Sequence, residues 1–267
     1  MKKLKYAVAI LLLTIIGVVN AAPKAQLTPF WNHSNEANKA KMNHSAWQQI
    51  LNHYLNSKHS SGINRFNYKA LKANRRNRNK LNAYIRYLES INPRRYSKKV
   101  QKAYWINIYN ALTIKIVVDN YPISSIKKIG WFGRGPWNNK YATVLGKKLS
   151  LNNIEHNILR PIWRDNRIHY AVNCASLGCP NLAVRAYTSA NTERLLNNAA
   201  KKYINHTRGV QFKGRKLVIS NIYQWYQVDF GNVKQHLIKY AKPQLAQRLR
   251  NYRGSFSYDY NWTLNKL

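Results

Sequence analysis

The chain has 267 residues, 45% of them hydrophobic, with neither a long Gly/Ser/Pro linker nor an internal repeat. These features exclude a string of small domains or a repeat architecture, and they predict one large domain with a proper core. Lys and Arg number 45 against 8 Asp and Glu, so the formal net charge is +37. Such a chain is attracted to anionic surfaces. Because its Lys and Arg residues are scattered along the whole sequence, they indicate general adhesion to such surfaces rather than a single binding site.

Residues 1–21 have the pattern of a secretory signal peptide. Three lysines precede an apolar core, Tyr6 to Val18, which is too short for a comfortable membrane span. We therefore predict cleavage near Ala21 and a location in the periplasm or outside the cell; the alternative is a retained anchor helix. A second apolar segment of spanning length does not follow, so we expect no integral membrane span after processing.

Residues 22–43 are polar and contain two prolines, which predicts an extended arm ahead of a single globular domain over 44–267. Helical spacing of apolar residues predicts the first part of that domain. Four helices are expected there: 46–57, 66–73, 78–91 and 98–120. The last of them is apolar on nearly every side and should be the buried central helix.

The second half of the chain mixes helices with short strands. Hairpins are predicted at 141–149 and 210–219, helices at 150–161, 192–205, 233–241 and 245–252, and a final strand at 255–264. The expected fold class is therefore α+β, a mostly helical domain packed around a small, mainly antiparallel sheet.

Polar residues inside the predicted core are the first candidates for a site. Asn107 and Asn110 share one face of the central helix, and each buried amide costs about 1–3 kcal/mol if it lacks a partner. They either brace a neighbouring loop or line a binding site. In the short helix after the first hairpin, Glu155 falls within the apolar face, where a carboxylate needs a partner. His156 and Arg160 lie on a neighbouring face, so this group either fixes the helix to the sheet or serves the cysteines.

Both cysteines lie within residues 167–182, which we predict to be a strand that runs into a tight loop. Alternation places His169 and Asn173 on one strand face, and the turn brings Cys174 and Cys179 together beside that face. A disulfide is expected in an oxidising compartment. The alternatives are a cysteine nucleophile served by a histidine, and a redox or metal role. No metal site and no cofactor are expected, because Cys-x-x-Cys and paired-His spacings are missing.

Two functions fit these features. The first is binding of an anionic envelope surface, a polysaccharide or a peptide, through the charge and a Gly/Pro-broken aromatic loop over 131–137. The alternative is a cysteine-nucleophile hydrolase or acyl-transferase with papain- or transglutaminase-like chemistry. Nucleic acid is disfavoured as a partner because no recognition motif is present. The candidate catalytic residues are Glu155, His156, His169, Cys174 and Cys179, and the candidate binding residues are Asn107, Asn110, Trp131, Trp137, Arg160 and Asn173.

Five segments stand in an order that is typical of one family. They are 103–112, 150–156, 169–180, 225–231 and 258–260. Together they resemble the domain-of-unknown-function family numbered 547, from about residue 44 to the C-terminus. The resemblance implies a domain of secreted bacterial proteins and of plant and animal multidomain proteins, with no assigned activity. Asn181 departs from the pattern, which leads us to expect a second proline there.

Overall fold

Helices dominate the computed structural model, which describes residues 22–130 and 135–267. The helices are α1 (Ser45–Tyr54), α2 (Tyr68–Ala73), α3 (Arg75–Ser90), α4 (Lys98–Asn120), α5 (Arg160–Trp163), α6 (Thr192–Ile204), α7 (Ile222–Trp225), α8 (Gln227–Phe230), α9 (Val233–Tyr240) and α10 (Pro243–Asn251). The strands are β1 (Leu55–Asn56), β2 (Arg65–Phe66), β3 (Lys140–Val144), β4 (Lys147–Ser150), β5 (Val210–Lys213), β6 (Lys216–Ser220) and β7 (Phe256–Asp259). The α+β class is confirmed.

The strands form three small sheets. The β1–β2, β3–β4 and β5–β6 pairs are antiparallel, and β7 joins β6 in parallel with Leu217 opposite Phe256. Both predicted hairpins are confirmed. The predicted final strand is shorter than expected, because after Asp259 the chain leaves the sheet and runs past the cysteines.

The core is built around α4, as its apolar composition predicts. Trp105 and Ile106 are fully buried, and α2 and α3 pack against this helix. Residues 22–43 contain little regular structure, yet Trp31 is buried with its ring centroid 5.1 Å from that of Trp105. The N-terminal segment therefore contributes to the core of the domain.

Two hydrophobic clusters meet at the cysteine stretch. One surrounds α4, and the other joins α6, α9 and the β5–β6–β7 sheet. Ile168 and Ala171 belong to the first cluster, whereas Tyr170 belongs to the second. Packing on both sides therefore holds the backbone that leads into the cysteine loop.

The predicted strand over 167–173 is wrong, because Asn166–Tyr170 is a 3₁₀-helix. The carboxylate of Asp165 caps this helix by accepting a hydrogen bond from the Arg167 backbone N–H and also binds its guanidinium. These local contacts form a helical turn where the alternation of apolar and polar residues predicts an extended strand.

The helix predicted at 150–161 is present in an altered form. Its middle, Asn153–Leu159, is a π-helix that leads into α5. Pro161 has no N–H and cannot donate to the carbonyl of Asn157, which instead accepts a hydrogen bond of 3.1 Å from the Thr28 backbone. The N-terminal segment is thereby tied to this helix.

Among the described residues, none of the helices combines the length and the apolar character that crossing a membrane requires. The predicted signal peptide, residues 1–21, lies outside the described residues, as does Trp131 of the aromatic loop.

The amides of α4 are hydrogen-bonded to backbone groups of distant segments. Asn107 donates to the carbonyl of Tyr187 at 2.7 Å and accepts from its N–H at 3.0 Å. Asn110 donates to the carbonyl of Ala171 at 2.9 Å and accepts from the N–H of Asn173, also at 2.9 Å. Both side chains therefore brace neighbouring loops, and Asn110 holds the start of the cysteine loop.

We expect Asn110→Ala to lower the free energy of unfolding by about 2–4 kcal/mol, because it leaves the buried carbonyl of Ala171 and N–H of Asn173 without partners. Asn120→Ala is the matched control, since this amide binds only a carbonyl at the end of the same helix. Urea denaturation of both variants checks the prediction. Equal stability of the two variants would show that the Asn110 hydrogen bonds contribute little.

Candidate active site

Cys174 lies in a half-buried position surrounded by hydrogen-bond donors. Its Sγ is 3.0 Å from the hydroxyl of Tyr260 and 3.2 Å from that of Ser176. A hydrogen bond from the Cys179 thiol lowers the pKa of Cys174 most, and the donors of Ser176 and Tyr260 add to the effect against the opposing effect of burial. The pKa falls to about 7, so a large fraction of Cys174 is thiolate at neutral pH.

Cys179 is buried and has a different role. Its Sγ accepts the backbone N–H of Cys174 at 3.0 Å, and burial raises the pKa of this thiol well above its usual value. Both cysteines are free, so the predicted disulfide is wrong for this structure. In this loop the Cys179 sulfur accepts the backbone N–H of Cys174, and the two side chains interact through a hydrogen bond instead of a covalent bond.

The loop backbone after Cys174 is strained and braced. Ala175 has φ +59°, a left-handed conformation that costs a non-glycine residue about 1 kcal/mol. The side chain of Asn173 accepts the N–H of Ala175 at 2.8 Å and donates to the carbonyl of Pro180 at 2.7 Å. Asn173 thus closes both ends of the loop and presents the sulfur of Cys174 at its turn.

The C-terminal segment covers the other edge of the loop. The N–H of Leu177 donates to the carbonyl of Thr263, and that of Gly178 donates to the carbonyl of Asn261, both at 2.8 Å. A Cβ on Gly178 would lie 2.8 Å from the backbone nitrogen of Asn261, which is too close for any side chain. Glycine at this position allows the segment to approach and to bring Tyr260 to the thiol.

A buried charged cluster forms next to the loop. Arg160 donates two hydrogen bonds to Asp229, with Nε–Oδ2 at 2.5 Å and Nη2–Oδ1 at 3.1 Å. His169 donates from Nε2 to the same carboxylate at 2.7 Å, and Arg160 also donates to Nδ1 of His156 at 2.9 Å. The hydrogen bonds and charges of His169 and Arg160 outweigh burial and hold the pKa of Asp229 well below its usual value.

Glu155 completes the cluster and is also buried. Burial would raise its pKa, but the charges of His156 and His169 and the hydroxyl of Tyr226 lower the pKa to about 2. The hydroxyl of Tyr109 donates to the second carboxylate oxygen at 3.2 Å. Burial lowers the pKa of His156, although Glu155 opposes this effect. Glu155 is therefore an ionised carboxylate with partners on each side.

Tyr226 packs against the charged cluster. Its ring stacks on His169 with centroids 3.8 Å apart. Burial raises the pKa of Tyr226 well above its usual value, and the charges of Glu155 and Cys174 raise it further, so the hydroxyl stays protonated. Within residues 22–130 and 135–267, no histidine nitrogen is hydrogen-bonded to a cysteine sulfur. The structure therefore brings His156, His169 and Glu155 together, and the hydrogen-bonding partners of the Cys174 side chain are hydroxyl groups, not histidines.

Other candidates lie farther from the sulfur. Trp137 packs edge-to-face on Trp262, with centroids 5.7 Å apart, and Trp262 in turn contacts Tyr260. In the described part of the chain, no three His, Cys, Asp or Glu side chains are arranged to hold a metal ion.

The sequence reasoning did not select Ser176, Tyr226 or Tyr260 as site residues. Ser176 stands only two positions after Cys174, while Tyr226 and Tyr260 lie within two of the five segments that carry the family resemblance. Their place in these segments is the sequence signal that could have identified the two tyrosines as site residues, since neither belongs to a catalytic motif.

Comparison with known proteins identifies one family. Residues 93–204 match the model of the family described as "Protein of unknown function, DUF547". The match includes α4, the π-helix and the cysteine loop, whereas Tyr226, Asp229 and Tyr260 lie beyond it. None of the curated proteins and none of the solved structures matches the chain.

We expect Tyr260→Phe to raise the midpoint of the pH dependence of Cys174 alkylation above about 7, because the variant removes one donor to the thiolate. Tyr258→Phe, two positions earlier on an exposed site, is the control and should keep the midpoint near 7. Iodoacetamide rates read by mass spectrometry give both values. If Tyr260→Phe has the wild-type midpoint, this hydroxyl does not stabilise the thiolate.

The charged cluster predicts loss of stability in acid. Because native Glu155 has a pKa of about 2 against an ordinary 4.5, the unfolded chain binds more protons between these values, and stability falls as the pH drops through this range. We expect Glu155→Gln to be less stable than wild type at pH 7 and to show a smaller decrease from pH 5 to pH 2. Denaturant unfolding at several pH values measures this. If the free energy of unfolding of Glu155→Gln falls between pH 5 and pH 2 as much as that of wild type, Glu155 is not the group whose protonation destabilises the protein.

Proposed function

We propose that this chain, which belongs to the DUF547 family through its residues 93–204, transfers or hydrolyses acyl groups through a thiolate at Cys174. The observation that carries the proposal is the set of donors around a half-buried sulfur, with Tyr260 at 3.0 Å and Ser176 at 3.2 Å. The thiolate is the nucleophilic form of cysteine. A pKa of about 7 is close to the optimum for attack near neutral pH, where thiolate population and nucleophilicity are balanced.

The same donors suit the first chemical step. The Cys174 sulfur forms a bond to a substrate carbonyl carbon, and the carbonyl oxygen receives the electron pair of the broken π-bond. Negative charge then moves from sulfur to oxygen, within reach of the hydroxyls of Tyr260 and Ser176. Donors that are already oriented lower the barrier because they need no reorganisation during the reaction. Collapse of this adduct expels the leaving group, and water or an amine then releases the acyl group.

The surroundings of the sulfur favour a particular leaving group. An amide leaves as an amine and needs a proton donor, the role that histidine plays in papain-like sites. Among the described residues, no histidine nitrogen is hydrogen-bonded to a cysteine sulfur. His169 binds Asp229 through Nε2, and its Nδ1 lies 3.7 Å from Glu155 without a hydrogen-bond partner in that part of the chain. A thioester or an activated ester expels a stable anion and does not need that proton. The proposal therefore assigns thioesters or activated esters as substrates.

Export remains part of the proposal. Cleavage after Ala21 would keep the segment whose Gln26 N–H donates to the carbonyl of His156 at 2.9 Å and whose Pro23 carbonyl accepts from Arg160 at 2.6 Å. Of the net charge of +37, residues 1–21 carry three lysines, and the remaining +34 supports attraction of the mature protein to an anionic envelope surface. N-terminal sequencing of protein from the envelope fraction tests this part, with Ala22 expected as the first residue and an intact Met1 contradicting it.

The enzymatic proposal is tested with phenyl thioacetate and acetanilide as paired substrates. We expect turnover of the thioester, an acetyl group on Cys174 by peptide mass spectrometry, and little cleavage of the anilide. Cys174→Ala should reduce thioester turnover by about 1000-fold or more, because the nucleophile is removed.

Tyr258→Phe serves as the control and should retain wild-type turnover, since its exposed hydroxyl is not a hydrogen-bond partner of the Cys174 sulfur. Thioester turnover that persists in Cys174→Ala would contradict the proposal. So would an acetylated Cys174 that is never released in the presence of water or an added amine.

A further inference from the structure

A second candidate site is a cleft between residues 181–187 and α6. Its volume is about 420 Å³, within the usual range for sites that bind small molecules. Apolar and aromatic side chains form much of its surface. They are Leu182, Ala183, Val184, Tyr187, Leu195, Ala199 and Tyr203. The thiol chemistry described above does not use this cleft.

Four cations line the cleft and come from three parts of the chain. Arg185 belongs to the segment before α6, Arg194 and Lys202 lie on α6, and Arg208 follows that helix. Three lining residues of α6, Arg194, Asn198 and Lys202, are spaced at four-residue intervals, so they share one face of the helix. The lining contains no carboxylate. The charge at this position is therefore concentrated, unlike the scattered charge of the whole sequence.

These cations have no counter-ions within the described residues. Glu193 is adjacent in sequence to Arg194, but its carboxylate pairs with Lys102 and Arg167. Arg208 is fixed by hydrogen bonds to the carbonyl of Leu177 at 2.9 Å and to the side chain of Asn181 at 2.7 Å. Its buried Nε has no hydrogen-bond partner. An anion in the cleft would supply the charge that the protein itself does not provide.

We propose that this cleft binds a sugar that carries a phosphate monoester. A phosphate dianion offsets more of the four positive charges than a single carboxylate does, and its oxygens match the fork of an arginine guanidinium. The exposed amide of Asn198 can bind sugar hydroxyls. A free sugar phosphate and a phosphorylated sugar unit of an envelope glycan share this chemistry.

Calorimetric titration of the mature protein with glucose 6-phosphate tests the site. We expect saturable binding that is stronger than binding of either glucose or inorganic phosphate and that weakens as salt is raised. Lys202→Gln and Arg194→Gln should each weaken binding about tenfold through loss of a charged contact. Lys201→Gln is the matched control, because it removes the same charge from the adjacent exposed position of α6, outside the cleft.

Equal weakening by Lys201→Gln and Lys202→Gln would overturn the proposal, because it would indicate charge adhesion without a site. Binding of inorganic phosphate as tightly as glucose 6-phosphate would overturn the assignment of a sugar. Titration with phosphorylated mannan distinguishes a glycan from a free sugar phosphate as the ligand. If mannan binds more tightly per phosphate group than glucose 6-phosphate, the ligand is a glycan unit; if it binds more weakly, the ligand is the free sugar phosphate. Cys174→Ala should bind like wild type, so this test is independent of the thiol chemistry.

Discussion

The candidate site depends on the two hydrogen bonds by which the Asn110 amide donates to the carbonyl of Ala171 and accepts from the N–H of Asn173. Through them, the most buried helix of the domain sets the position of the loop that carries both cysteines. Asn173 then continues the arrangement by binding Ala175 and Pro180. A left-handed residue next to the thiol is maintained because the surrounding hydrogen bonds determine the conformation of the loop.

The loop lowers the pKa of Cys174 through hydrogen bonds, and in the described part of the chain no histidine nitrogen binds its sulfur. Ser176, Cys179 and Tyr260 lower the pKa of Cys174 from within or beside the loop. In the neighbouring charged cluster, Arg160 and His169 both bind Asp229, and Tyr226 stacks on His169. Within the residues that the structure describes, the Nδ1 atom of His169 has no hydrogen-bond partner. The proposed preference for substrates with good leaving groups over amides rests on the absence of a histidine hydrogen bond to this sulfur among the described residues.

Much of the fold follows from the sequence, because long apolar periodicity and hairpin turns are local signals. The helix 98–120, the hairpins and the helix at 192–205 are of this kind, and the inward position of Glu155 followed from its place on an apolar face. The strand expected at 167–173 is instead a 3₁₀-helix, because the side chain of Asp165 caps the helix. This contact outweighs the strand preference that the alternation of apolar and polar residues predicts. Tyr260 and Cys174 are 86 residues apart in the sequence. Their contact therefore could not be predicted from the pattern of neighbouring residues.

The most direct test of this account is the ultraviolet absorbance of thiolate as a function of pH in the reduced native protein, with Cys174→Ala as reference. The account predicts one thiolate that appears with a midpoint near pH 7 and is lost in Cys174→Ala, while Cys179 remains protonated well beyond the ordinary range. Titration of both thiols together near the ordinary cysteine pKa of about 8.5 would contradict it.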